Sequence, residues 1–185
     1  ILYPLTIPEG WTVSQALAKV AADPVLVGDL PAEAPVEGSL AADTILFARG
    51  MTRAGIVGKM VSDQRALVEK IWAARKPDLP IKDVNEFVTL ASIVEKETGI
   101  AAERPRVAAV FVNRLKKGMK LQSDPTVIYG LFGGAGKPAD RPIYQSDLDK
   151  DTPFNTYKVK GLPPSPIANP GRAALEAVAN PAATD

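Results

Sequence analysis

Thr89–Gly99 reads T-L-A-S-I-V-E-K-E-T-G, and its periodicity decides how the chain is read. On a helical wheel of about 100° per residue, Phe87, Leu90, Ala91 and Val94 form one stripe, flanked by Val88 and Ile93. Thr89, Ser92 and Lys96 fall on the opposite side. Upstream, Asp83 is a natural N-cap with Glu86 three residues on, a capping-box pattern. Downstream, Gly99 is a natural stop. Two acids close this helix. Glu97 lies about 70° and Glu95 about 90° from the stripe centre, both on shoulders of the apolar face. A carboxyl beside an apolar stripe is partly desolvated, which favours its protonated form and suits a general acid. An arbitrary Glu in such a place is by default a solvated partner of a Lys or Arg. The wheel nominates Glu97, slightly ahead of Glu95, and does not by itself identify a catalyst.

Composition narrows the chemistry. The 185 residues carry 22 basic and 21 acidic side chains, and 46% are hydrophobic. That is enough for an ordinary core, and a net charge of +1 argues against a nucleic-acid partner. There is no cysteine and no histidine, so disulfides, thiolate metal sites, the usual zinc ligand and the usual general base are all missing. Acid–base work falls to Asp, Glu, Lys or Tyr. No apolar run is long enough to span a bilayer.

Ahead of the acid helix, residues 1–52 read as an N-terminal lobe and 53–185 as the main body. Ile1–Ile7 is a strand, Pro8–Trp11 a turn, and Thr12 with Gln15 a capping box for a helix to Ala22 bearing Val13, Ala16, Leu17 and Val20 on one face. Asp23–Gly38 is rich in Pro and Gly and reads mostly as loop. Thr52–Arg75 is a long helix with Ile56, Met60, Leu67, Ile71 and Trp72 inward, ended by Pro77-Asp78-Leu79-Pro80.

Behind the acid helix, Glu103–Lys117 is helical with Val107, Val110, Phe111 and Leu115 inward and Arg104 and Arg106 outside or near the end; Gly118 caps it. Arg114 is either solvated or paired with Glu95. Met119–Gly130 is the densest polar stretch, with Gln122, Ser123, Asp124 and Thr126 around Pro125. From residues alone Asp124 caps the next helix and Pro125 opens it. Leu131–Pro142 is Gly-rich but lacks the Lys-[Ser/Thr] end of a phosphate loop. Ser146–Asp151 lacks the Gly and Glu of a calcium loop, so no metal is assigned. Pro153–Tyr157 leads into a Pro-rich turn at Gly161–Ile167, rigid at low entropic cost. Asn169-Pro170-Gly171 caps a last helix, Arg172–Val178.

Three motifs in order carry a resemblance from Leu90 to Pro181: ASIVEKET, then ER-x-x-VAAVFVNRLKKGMKLQSDPTVIYG, then NTY-x-x-x-GLPPSPIANPG. They resemble the catalytic domain of the YceG/MltG family, the endolytic murein transglycosylases. The resemblance implies that the acid is the Glu of the Glu-[Ser/Thr] pair, here Glu97 before Thr98, with Glu95 and Arg114 in support. It implies a glycan groove in which Gln122, Ser123, Asp124, Thr126, Tyr129, Asn155, Thr156 and Tyr157 contact sugar. The implied substrate is peptidoglycan, strands of N-acetylglucosamine and N-acetylmuramic acid cut without water to leave 1,6-anhydro ends. No cofactor is implied. The resemblance also implies an envelope location, cell-wall synthases as partners, a membrane anchor ahead of Ile1 and a further stretch beyond Asp185. Residues 1–52 resemble the end of a small LysM-like domain. Glu37–Thr44, EGSLAADT, departs from the family segment at Ser39 and Ala42, so its expected role is structural. The expected fold is α+β: a helical core bearing the acid, with a small β-containing part closing one side of the groove. Three rivals stay open. They are a lysozyme-like hydrolase with Asp124 as second carboxylate, a non-catalytic glycan-binding module, and a scaffold that recruits synthases.

Overall fold

Short β-branched and aromatic runs at the N-terminus have to find a partner strand, because an isolated strand leaves its backbone unpaired. In the computed structural model, which describes residues 1–184, β1 (Leu2–Thr6) finds it in β2 (Thr44–Ala48), antiparallel, with Leu2 opposite Ala48 and Thr6 opposite Thr44. The sequence reading had no strand at Thr44–Ala48. Its signal is the alternation of Ile45 and Phe47, both buried, with exposed Thr44, Leu46 and Ala48. Between the strands, α1 (Val13–Ala22) starts at the predicted Thr12–Gln15 capping box and buries Val13, Ala16 and Val20.

Five more helices carry the body: α2 (Arg53–Ala73), α3 (Val84–Glu97), α4 (Arg104–Lys116), α5 (Asp124–Phe132) and, last, α7 (Arg172–Ala179); a single turn, α6 (Gln145–Leu148), lies between the final two. The architecture is mixed α+β, mostly helical with one small sheet. Two cores form. One gathers β1, α1, β2 and the first half of α2, with Ile56, Val57 and Met60 fully enclosed. The other surrounds α3 with Val68 and Ile71 of α2, Ala108, Phe111 and Val112 of α4, and Ala174, Leu175 and Val178 of α7. The two cores therefore share one helix rather than meeting through a linker.

The acid helix α3 is enclosed on nearly every side, which the wheel did not foresee. Thr89 and Ser92, expected on a polar pole, are completely buried. Their hydroxyls are satisfied locally: Thr89 donates to the Asn85 carbonyl at 2.7 Å, and Ser92 donates to the Thr89 carbonyl at 2.7 Å. Ser92 Oγ in turn accepts the Ile167 N–H at 3.0 Å, so the Pro-rich return packs on what looked like the solvent face. Enclosure also brings Phe87 against Trp72, ring centroids 5.3 Å apart. Burying a side chain such as Phe87 contributes about 2–3 kcal/mol. Asp83 does cap α3, accepting from the Glu86 N–H at 2.8 Å, but Glu86 reaches back to the Lys82 N–H instead of closing a box on Asp83.

Two expectations for α4 are corrected. Val110 is 39% exposed, not inward. Arg104, expected outside, is buried, because the first turn of α4 sits beneath Glu9 and Glu95.

Candidate active site

The last turn of α3 points its two acids in different directions. Glu95 is nearly closed from solvent; its Oε1 accepts the Gly171 N–H at 2.8 Å and its Oε2 lies 3.5 Å from Arg104 Nη2. Gly171 is the N-cap residue of α7 and has no side chain to cap with, so Glu95 satisfies that helix start from across the core. Burial holds the Glu95 carboxyl above the usual carboxylate range; the Gly171 N–H and Arg104 oppose this, and the nearby Glu9 charge adds to it. The partner of Glu95 is thus Arg104, not Arg114. Sequence spacing could not separate them, since both lie on α4 one helix away.

Glu97 is exposed at the C-terminal end of α3, where the desolvation expected of it is found at Glu95 instead. Ser123 Oγ donates to Glu97 Oε2 at 3.0 Å. Glu97 borders a cavity of 240 Å³ shared with Val107, Val110, Phe111, Arg114 and Gln122. Larger cavities, one of 410 Å³ between α2 and the start of α3, lie elsewhere; neither that one nor its neighbour of 530 Å³ holds Glu97, and volume is a poorer guide here than the acid and its partners. No residue of β1 or β2 lines the Glu97 cavity, so the β part does not close this side; α4 and the turn before α5 do.

That turn is built to hold Ser123 in place. Gln122 adopts φ +55°, a left-handed conformation unusual for a non-glycine residue. Its N–H donates to the Thr156 carbonyl at 3.2 Å, and the Ser123 N–H to Thr156 Oγ1 at 2.9 Å. Thr126 Oγ1 and Thr156 Oγ1 are 2.7 Å apart, both fully buried. Ser123, not Asp124, is the N-cap position of α5, and its hydroxyl is turned away to Glu97 rather than capping. Asp124 is the first helical residue and exposed; its Oδ1 accepts the Tyr157 hydroxyl at 2.5 Å. That bond, then burial, then the negative charges of Asp124 and Glu97 push the Tyr157 phenol up to about 12, with Arg114 opposing.

The expected sugar-contacting residues therefore divide. Glu97, Gln122, Ser123, Asp124, Arg114 and Tyr157 gather around one open region. Thr126, Asn155 and Thr156 do not reach it. Asn155 is buried, donating to the Leu148 and Lys150 carbonyls at 3.0 and 2.6 Å and accepting the Tyr157 N–H at 2.9 Å, which fixes Tyr157 from behind. Tyr129 faces the N-terminal lobe: it donates to Glu37 Oε2 at 2.9 Å and its ring packs edge-on against Phe154 at 5.0 Å. Burial, then the charge and hydrogen bond of Glu37, push its phenol up to about 12. Glu37 Oε1 accepts the Val13 N–H at the start of α1 at 2.6 Å, so Glu37 ties α1 to α5. Burial holds the Glu37 carboxyl above its usual range. The structural role expected of the Glu37–Thr44 segment is seen at Glu37 itself, whereas the buried Arg104 read as outside or near the helix end, since its enclosure is visible only once the chain is folded.

No group of three or more His, Cys, Asp or Glu side chains among the described residues is arranged to hold a metal. Asp147, in the acidic stretch, is spent on Arg141 at 2.9 Å and on the Tyr144 N–H.

Comparison with known proteins finds relatives of this chain. An endolytic murein transglycosylase of Bacillus subtilis (strain 168) is 41% identical over 152 residues, covering 82% of this chain and 40% of that protein. One from Streptococcus pneumoniae (strain D39) is 32% identical over 182 residues, covering 94% of this chain and 31% of that protein. The chain thus spans less than half the length of each of these relatives. The crystal structure of a YceG-like protein from Listeria monocytogenes superposes with a TM-score of 0.76 at 31% identity, over 98% of this chain and 67% of that one. The model of the YceG-like family matches residues 2–185, and the chain belongs to that family.

Proposed function

We propose that this chain is the catalytic part of an endolytic lytic transglycosylase that cleaves the bond between N-acetylmuramic acid and N-acetylglucosamine inside peptidoglycan strands. The observation that carries it is Glu97, an acid at the exposed end of an otherwise buried helix, held by Ser123 beside the Asp124–Tyr157 pair. The relatives named as murein transglycosylases supply the substrate class.

In this reading protonated Glu97 donates to the glycosidic oxygen as the muramyl C1–O bond breaks through an oxocarbenium-like state. The resulting carboxylate takes the proton from the muramyl C6 hydroxyl, whose oxygen bonds to C1 and closes the 1,6-anhydro ring. The proton balance returns Glu97 to its starting state, and no water or cofactor enters. Glu97 is exposed in the free protein, and a sugar bound across it would exclude water from the reacting atoms. Ser123 fixes one carboxyl oxygen. Gln122, Asp124 and Tyr157 offer polar contacts to the flanking sugars, while Glu95, Thr126, Asn155 and Thr156 hold the frame.

The same reading assigns residues 1–52 to the end of a LysM-like lobe and 53–185 to the catalytic body, in a bacterial envelope protein anchored to the inner membrane by a helix ahead of this segment. It acts outside the cytoplasm beside cell-wall synthases. Among the described residues no helix is long and apolar enough to cross a membrane.

The test is mass spectrometry of purified glycan strands incubated with the full-length protein and with Glu97→Gln. Anhydro-muramyl ends that appear with the wild type and vanish with the variant support the proposal. Reducing ends that have gained water would replace it by a hydrolase using Asp124. Bound but uncut strands would replace it by a binding module.

A further inference from the structure

The cavity beside Glu97 has a composition that acid–base chemistry does not use. Its floor is Val107, Val110 and Phe111 on one face of α4, and its rim is Glu97, Arg114 and Gln122. Val110 is 39% exposed in mid-helix, an apolar side chain left bare where a solvated helix face would carry a polar one. Arg114 is the one cation on this rim. Its Nη1 donates to the Leu121 carbonyl at 2.5 Å, which fixes the plane of the guanidinium, and it forms no ion pair among the described residues. A fixed, unpaired guanidinium over an apolar floor matches a ligand group with a small apolar part and a carboxyl oxygen beside it. At 240 Å³ the space is below the roughly 300–1,000 Å³ of pockets that enclose whole ligands, so it suits a substituent of a sugar more than a sugar chain.

Resting on the transglycosylase reading, we propose that this cavity is the subsite for the lactyl arm of N-acetylmuramic acid. The lactyl methyl enters among Val107, Val110 and Phe111, and Arg114 binds the lactyl carboxyl oxygen. That oxygen belongs to a carboxylate where the stem peptide has been removed and to an amide where it is present. The acetamido group, carried by both sugars of the strand, is neutral and gives the cation less. The cavity therefore distinguishes the two sugars, sets the muramyl residue next to Glu97, and makes stripped strands the better ligands.

The experiment uses the full-length protein with three glycans: peptide-bearing strands, the same strands stripped by an amidase, and chito-oligosaccharides, which lack the lactyl arm. Binding and cleavage are measured for the wild type, Arg114→Gln and Val110→Asn. Arg114→Gln is expected to weaken binding and raise KM about tenfold for stripped strands, and clearly less for peptide-bearing ones. Val110→Asn, at an exposed position that tolerates polarity, raises KM severalfold on both muramyl strands and keeps the proposal testable should Arg114→Gln unsettle the Leu121 turn. Neither change alters chito-oligosaccharide binding. Equal losses on all three glycans, a fall in kcat alone, or no loss with either variant would overturn the proposal. Its failure is separate from that of the transglycosylase reading: wild-type protein that cuts no strand defeats the latter, whereas the binding pattern alone decides the subsite.

Discussion

Glu95 and Glu97 are two residues apart on one helical turn, yet the regions they occupy differ in almost every physical respect. Around Glu95 the chain is closed: a buried carboxylate, a buried Arg104 and the start of α7 satisfy one another. Around Glu97 it is open: the carboxylate meets solvent, a serine and a cavity. The difference teaches that burial and a displaced titration mark the acid that holds the frame together, while the acid beside the open cavity is the one left free for a ligand. A functional-site search guided by titration alone would choose Glu95.

The largest effect that could break this contrast is structural. Glu95→Ala leaves Arg104 buried with only Glu9 at 3.9 Å and strips the start of α7 of its acceptor. A loss of about 3 kcal/mol in unfolding free energy is expected, read from denaturant curves. An unchanged midpoint would show that the closed region needs no such knot. Next comes the open region. Tyr157→Phe removes the hydroxyl bound to Asp124 and is expected to slow strand cleavage about tenfold, roughly 1.4 kcal/mol of barrier, with little change in melting. A large melting shift without a rate change would move Tyr157 to the structural side.

The smallest effect is in pH. Burial places the folded Glu95 carboxyl above its ordinary 4.5, so the folded chain holds this proton more tightly than the unfolded chain. The stability this contributes is fully present below 4.5 and is lost as pH rises through the folded value. Wild type should gain stability relative to Glu95→Gln as pH falls from neutral, with the difference levelling off below about 4.5. Glu37 is shifted in the same direction but is present in both proteins and cancels. A difference that shrinks on acidification would mean that Arg104 and the Gly171 N–H outweigh burial.

Much of this was legible in the sequence, for identifiable reasons. Local signals were reliable: the Thr12–Gln15 box, the Asp83 cap and the Gly118 stop all work through neighbours three or four residues away. Enclosure was less so. Thr89 and Ser92 read as a polar face because a wheel cannot know that a return 75 residues later will cover it and bond to Ser92. Glu97 was chosen through the Glu-Thr motif, while the physical argument offered for it describes Glu95. Arg104 read as a residue outside or near the helix end, and Arg114 was left open between solvent and Glu95, because pairing between helices depends on their rotation and crossing, which spacing does not encode. Thr126, Asn155 and Thr156 have the side chains of a sugar-binding wall but are used to brace the turn behind it.

The central claim is the division of labour between the two acids, and it can be measured directly. Anhydro-end formation is followed for Glu97→Gln and Glu95→Gln at equal concentrations of folded protein, with unfolding curves for both. The account predicts that Glu97→Gln loses about 10³-fold in rate with its unfolding midpoint unmoved, and that Glu95→Gln stays within about tenfold of the wild-type rate. A folded Glu95→Gln protein that cuts no strands, beside a Glu97→Gln protein that still does, would contradict it.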